Sequence, residues 1–209
     1  VTVTVVTPWL NHRELERGYW AAMRCCDFEV LVVDNGSSPP LANGVRSDRN
    51  IGFAAASNLG LSLARTDAVL FLNNDIRPTR PDWSVELKSA LEPGVLVGAQ
   101  LRNGRHAAVD GVDFPYLDGW CLAGMRDDLL ALDGFDESFD EPSYYGDNDL
   151  CLRARLQGMT LRQADVGLVH LANATAGPGT QPNVAAASRA NYQRYATRAR
   201  QAMKEAVAA

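Results

Sequence analysis

The stretch "VLFL" at residues 69–72 constrains this chain more than any other feature, because it runs without a break into Asn73, Asn74 and Asp75. A short, continuous apolar run marks a strand covered on both faces, and such strands belong to parallel sheets wrapped by helices. "EVLVV" at 29–33 repeats the pattern and ends in the turn-forming "DNGSSPP". Residues 1–7 alternate as a strand. Asn11, with Glu14 three residues on, reads as a capping box that opens a helix running to about Cys25, with Leu15, Tyr19, Ala22 and Met23 on one face. A short strand is expected near 45–48 and a helix over 52–65 with Phe53, Ala56, Leu59 and Leu63 inward. A helix between Pro81 and Pro93 then leads to a strand at 94–99. Strands alternating with helices through short links predict an α/β fold, a mostly parallel central sheet flanked by helices. Such sheets present ligand sites beyond the carboxyl ends of their strands. Asn73, Asn74 and Asp75 fall there, as do Asp34 after the second strand and Thr7 and Pro8 after the first.

The second half is less regular. Residues 101–118 look loop-rich, 120–125 suit a strand and 127–132 a short helix. "DNDLCLRARLQG" reads as a helix from Asp147 to Gln157, stopped by Gly158 as a glycine just past the helix end. Residues 166–170 form a last strand, 171–183 are flexible by composition, and 184–208 suit an amphipathic helix. Without an internal repeat or a linker, residues 1–209 are expected to form one domain. Residues 1–100 would be its regular first half, 101–183 its less regular second half and 184–209 a terminal helix.

The formal charge of −5 and the pI near 5.2 argue against a nucleic-acid or anionic-membrane partner. No apolar window approaches the ~18 residues of a spanning helix. The opening stretch has no basic start, so no signal peptide is expected. The four cysteines, Cys25, Cys26, Cys121 and Cys151, form no CxxC pair and read as reduced thiols of a cytoplasmic protein.

The first turn, "VTPWLNH", contains no glycine, and "NIGFAAASNLG" has the wrong glycine spacing for a dinucleotide fingerprint. A phosphate-binding lysine loop is also absent. If a nucleotide binds, a metal ion is the natural substitute for a glycine loop, since Mg²⁺ or Mn²⁺ bridges one or two carboxylates to a diphosphate. Asp75 is a candidate ligand, although an Asp after an apolar run is more often a turn or cap residue. Asp147 and Asp149 sit at a helix start, where acidic residues need no catalytic role. Asp149 has Arg153 one turn on and reads as structural; Asp147 is freer to face a cleft. His170 ends a strand before the 171–183 loop, and a lone His is more often a satisfied residue than a ligand. Trp120, in "DGW" with Asp118 and Gly119, could form a sugar-stacking wall.

Together these segments resemble the GT-A glycosyltransferases of family 2, especially the rhamnosyltransferase-like branch, over roughly residues 1–172. "VLVVDNGSS", "RNIGFAAASNLGL", "FLNNDI", "LDGFDESF" with "YYGDNDLCLR", and "GLVH" stand in the family's order. The resemblance implies a GT-A fold and an inverting, metal-dependent transfer of a sugar from a nucleotide-diphospho-sugar to an acceptor hydroxyl. It implies that residues 1–100 are the nucleotide-sugar-binding half and 101–183 the acceptor and catalytic half, and that Thr7, Pro8, Asp34, Arg49, Asn50, Asn73 and Asn74 hold the donor. Asp75 and His170 would bind Mn²⁺ or Mg²⁺, Asp147 would be the general base, and Asp118, Gly119 and Trp120 would meet the acceptor. That acceptor would be a saccharide, a lipid-linked sugar or a small molecule. Two departures stand out. The family's D-x-D is N-N-D here, and its acidic pair before the helix is Gly146-Asp147. The chain also lacks the long C-terminal extension of many relatives, which suggests a minimal catalytic domain, and the 171–183 loop would close over the donor. The competing readings are a catalytically silent nucleotide-sugar-binding module and a sugar-nucleotide pyrophosphorylase, although the glycine-rich loop of the latter is missing.

Overall fold

The computed structural model describes residues 1–103, 108–139, 141, 143–171 and 184–208. The first half alternates as expected: β1 (Val3–Trp9), α1 (Glu16–Met23), β2 (Glu29–Asn35), β3 (Val45–Ser47), α2 (Phe53–Leu63), β4 (Ala68–Leu72), β5 (Ile76–Pro78), α3 (Val85–Ala90) and β6 (Val95–Gly98). The short strands β7 (Leu101–Arg102), β8 (Ala108–Val109), β9 (Val112–Asp113) and β10 (Tyr116–Leu117) lead to β11 (Cys121–Met125) and α4 (Arg126–Ala131). Then come α5 (Gly146–Leu156), β12 (Thr160–Gln163), β13 (Leu168–His170) and α6 (Val184–Ala208).

Seven strands form the main sheet in the order β12-β6-β11-β4-β1-β2-β3. β1 lies parallel to β2 and β4, β2 to β3, and β12 to β6. The exception is β11, which runs antiparallel between β4 and β6 and pairs Cys121 with Leu72. Its start therefore lies at the edge where β4 ends. That reversal brings residues 118–120 to the rim that carries Asn73–Asp75. The continuous apolar run of β4 now has its reason. Ala68, Leu70 and Leu72 pack into one core layer with Tyr19 and Trp83, while Val69 and Phe71 pack into the other with Leu122 and Phe135.

Several local expectations change. Asn11 does not cap α1; its Oδ1 accepts the Ser38 N–H (2.9 Å), while Glu14 meets His12 Nδ1 (2.8 Å). The inward face of α2 is Ala54, Ala56, Ser57, Gly60 and Leu61, and Leu63 is exposed. Gly60 sets that rotation, because a Cβ there would sit 2.2 Å from Val6 Cγ1, so the helix lies directly on β1. α3 is shorter than the Pro81–Pro93 interval, since Trp83 leaves the turn to donate its indole N–H to the Ala22 carbonyl (2.9 Å). β12 has no apolar run because it is a polar edge strand, "TLRQ". β13 pairs not with the main sheet but with β5, antiparallel, matching His170 with Ile76. Gly158 follows α5 with φ of 83°, as a C-terminal glycine should. The closing loop expected over 171–183 lies, beyond Leu171, outside the described residues.

Candidate active site

A cleft of about 1000 Å³ opens at the carboxyl edge of the sheet. Its floor comes from strand ends: Pro8 and Trp9 of β1, Asn35 of β2, and Asn73, Asn74 and Asp75 after β4. Asp118, Gly119 and Trp120 enter from the start of β11, Asp147 from α5 and His170 from β13.

The β5–β13 ribbon brings His170 back over the turn that follows β4. The Asp75 side chain is 1% exposed and His170 Nε2 lies 3.1 Å from its Oδ1. That oxygen is buried and accepts no hydrogen bond. Such an orphaned carboxylate oxygen is costly unless something completes it. Asn73 Nδ2 stands 3.3 Å from the same imidazole nitrogen. The Trp120 ring stacks flat on His170, centroids 5.0 Å apart, and fixes the imidazole's plane. A carboxylate oxygen and an imidazole nitrogen facing one point suit a divalent cation such as Mn²⁺. Among the described residues no group of three or more ligating side chains surrounds that point. A cation there would keep positions for substrate oxygens.

Asp147 sits in the first turn of α5. Its Oδ2 accepts the Gly119 N–H (3.0 Å) and its Oδ1 accepts the Asn148 N–H (2.9 Å). Burial pushes its pKa up to about 6, against those two hydrogen bonds, and the charge of Asp118 adds to the rise. A carboxylate with that affinity can take a proton near neutral pH. Asp149, two residues on, is fully buried and bound by Arg153 Nε (2.8 Å) and by Arg198 of α6. Segment 118–120 ties these parts together. The Gly119 N–H holds Asp147, the Trp120 ring holds His170, and the Trp120 carbonyl accepts the Asn73 N–H (2.8 Å).

Three residues expected at the donor do not line the cleft. The Thr7 hydroxyl is buried against Tyr19 Oη (2.8 Å). Asp34 is 1% exposed and accepts from Ser37 N–H, Leu41 N–H and Arg46. Burial alone would raise its pKa, but those bonds outweigh burial and hold it below the usual carboxylate range. Arg49 is exposed outside the cleft. The neighbour of Asp34 takes the rim position, since side chains alternate along a strand. Asn35 donates to Asn50 Oδ1 (2.9 Å) and accepts the Ile51 N–H (2.8 Å), so it orders the loop before α2.

Residues 4–110 match the pattern of Glycosyl transferase family 2. The chain belongs to that family. Among its relatives, this family 2 domain is 27% identical over 201 residues to the pre-mycofactocin glycosyltransferase of Mycobacterium tuberculosis, covering 80% of this chain and 42% of that protein. The chain spans less than half the length of the curated relatives it matches. Its fold is the GT-A fold. It superposes on a mannosyltransferase of Pyrobaculum calidifontis, solved with GDP-Man and Mn²⁺, with a TM-score of 0.64 at 22% identity, covering 85% of this chain and 58% of that one. The glucosyl-3-phosphoglycerate synthase of Mycobacterium tuberculosis, solved with Mn²⁺, UDP and glucosyl-3-phosphoglycerate, gives 0.62 at 20%, covering 91% and 77%. These matches establish family and fold, and no branch within the family.

The family 2 cleft also contains residues that sequence reasoning passed over. Glu141 accepts the Phe53 N–H (2.8 Å) from 88 residues away and so caps α2. Tyr116, Tyr144 and Tyr145 line the same cleft as Asp147. Ser143 and Tyr145, with φ of 61° and 70°, hold left-handed backbone just before α5, a costly conformation for non-glycine residues. No periodic pattern marks such positions. The one available signal was their place in the unpatterned stretch between two recognisable segments.

Proposed function

We propose that this domain transfers a sugar from a nucleotide-diphospho-sugar to an acceptor hydroxyl, with inversion at the anomeric carbon and with a divalent cation. The observation that carries the reading is the union, through Gly119 and Trp120, of an uncompensated Asp75–His170 pair with an aspartate of raised proton affinity.

The donor's base and ribose would lie along Pro8, Asn35, Asn50, Asn73 and Asn74. Asp75 and His170 would hold Mn²⁺ or Mg²⁺, with Asp75 the main ligand. The bound cation supplies charge neutralisation for the leaving diphosphate. That supply is needed, because the cleft's described lining carries Asp75, Asp118, Glu141 and Asp147 against a single guanidinium, Arg102. Asp147 would accept the acceptor's hydroxyl proton as its oxygen attacks. A single displacement with the base opposite the leaving group inverts configuration. The Gly119 and Asn148 N–H groups aim the carboxylate. Trp120 keeps the imidazole in plane and shields that side from water.

A cytoplasmic setting fits this reading. The thiols are unpaired, with Cys121 and Cys151 buried and pushed up to about 12 by burial. Among the described residues, no helix is long and apolar enough to cross a membrane. The deciding experiment is product formation from UDP-, dTDP- and GDP-sugars with Mn²⁺ over an acceptor panel. A new glycoside of inverted configuration is expected. Donor binding with neither transfer nor donor hydrolysis would leave a binding module, and retained configuration would reject the single displacement.

A further inference from the structure

The lining of the cleft that holds Asp147 has a chemistry that selects among acceptors. Besides Asp75, its described residues include Asp118, Glu141 and Asp147, whose carboxylates only accept hydrogen bonds when ionised. Its strongest donor, Arg102, is already engaged: Nε lies 3.1 Å from Asp118 Oδ1 and 2.9 Å from Oδ2. Ser143 Oγ donates to Glu141 (2.8 Å) and is likewise spent. Beside these carboxylates stand phenol rings. Tyr145 is held in its left-handed conformation by stacking on Tyr195 of α6, centroids 5.8 Å apart and planes 19° apart. Burial, with Asp147 and Asp118 nearby, raises the Tyr116 pKa, so this phenol stays neutral.

A surface rich in acceptors and aromatic faces, with the one guanidinium among its described residues paired, complements a ligand that brings its own donors and an apolar C–H face. A pyranose ring has both. A phosphate or carboxylate has neither, and would be desolvated against like charge.

Resting on the transferase reading above, we propose that the acceptor is an uncharged saccharide, seated against Tyr116 and Tyr145 with hydroxyls donated to Asp118 and Glu141, and that Asp118 discriminates against anionic acceptors. Substrates carrying a phosphate or carboxylate beside the reacting hydroxyl are excluded by the same groups.

Paired acceptors that differ only in charge test this. Octyl glycosides of glucose, mannose and galactose are compared with their uronates and 6-phosphates, under Mn²⁺ and an active nucleotide-sugar. We expect kcat/KM for the neutral member of the used pair to exceed both charged members at least tenfold. Asp118→Asn should lower neutral-acceptor turnover and narrow the gap to within about threefold. Equal use of charged and neutral partners, or preference for the charged one, overturns the inference and assigns the site to Arg102. Release of free nucleotide from donor is read in the same samples. Donor turnover with no glycoside used overturns the acceptor inference alone. Absence of both donor turnover and transfer, for every donor, removes the transferase reading and this inference with it.

Discussion

At the scale of single residues, Asp147, the base proposed above, also carries a stability cost. Its folded pKa, near 6, lies above the ordinary 3.8, so the folded state holds its proton more tightly than the unfolded chain does. The contribution to stability is therefore complete below about pH 4 and lost as pH rises through 6. As a base it must be ionised, so kcat/KM should fall tenfold per pH unit below about 6. Asp147→Asn should cut transfer by a factor of about 10²–10⁴, leave the donor-induced rise in melting temperature intact, and match or exceed native stability at pH 8. Full transfer in that variant would reject the base assignment. Gly60 is the opposite case, a residue of packing alone. A Cβ there meets Val6 Cγ1 at 2.2 Å, so Gly60→Ala should cost about 1–3 kcal/mol by overpacking, read from urea unfolding midpoints at unchanged slope.

At the scale of elements, α6 secures the helix that carries Asp147. Tyr195, Ala196 and Ala199 pack with Leu152 of α5, and Arg198 joins Asp149 to Asp136 on the loop before α5. Arg153 binds Asp149 from within α5 and also the Gly134 carbonyl (2.8 Å). Removing Arg198 leaves Asp149 buried with one partner. Because Arg198 is 37% exposed and Arg153 remains, Arg198→Met should cost about 2 kcal/mol, below the usual range for breaking a fully buried pair. Chemical denaturation measures it, and an unchanged midpoint would show that the pair holds nothing. The β5–β13 ribbon plays the matching part for His170. His170→Ala and Asp75→Asn should each weaken Mn²⁺ binding at least tenfold, seen by titration calorimetry with a nucleoside diphosphate present. Equal affinity in both variants would place the cation elsewhere.

At the scale of the whole molecule, the site exists because one antiparallel strand, β11, enters an otherwise parallel neighbourhood and delivers residues 118–120 to the rim. On the proposed assignment Mn²⁺ and a cognate donor bind at that rim in the folded state alone, and together they should raise the melting temperature in a concentration-dependent way. No shift with any donor would contradict the assignment of the cleft. The first half of this architecture was legible beforehand, because buried strands must be apolar on both faces and their turns must be polar; "VLFLNND" and "VLVVDNGSS" state both. Asp149 pairing with Arg153 was legible too, since four residues on one helix fix the distance. The polar edge strand β12 and the Pro-containing β5 were not, because an edge strand needs no apolar run. Nor was the division of labour between Asp34 and Asn35, since either could face the rim until the register of β2 was set. The amino-acid sequence by itself determined the layered α/β class, the family and the order of the polar strand ends, through constraints that act within a few residues of the chain. Tertiary structure alone decided which side chains meet: that Asp34 and Thr7 are consumed internally, that Glu141 caps a helix 88 residues away, and that Gly119 and Trp120 join Asp147 to His170. Those contacts depend on how strands far apart in the chain are ordered and aligned, and no local pattern of residues encodes that.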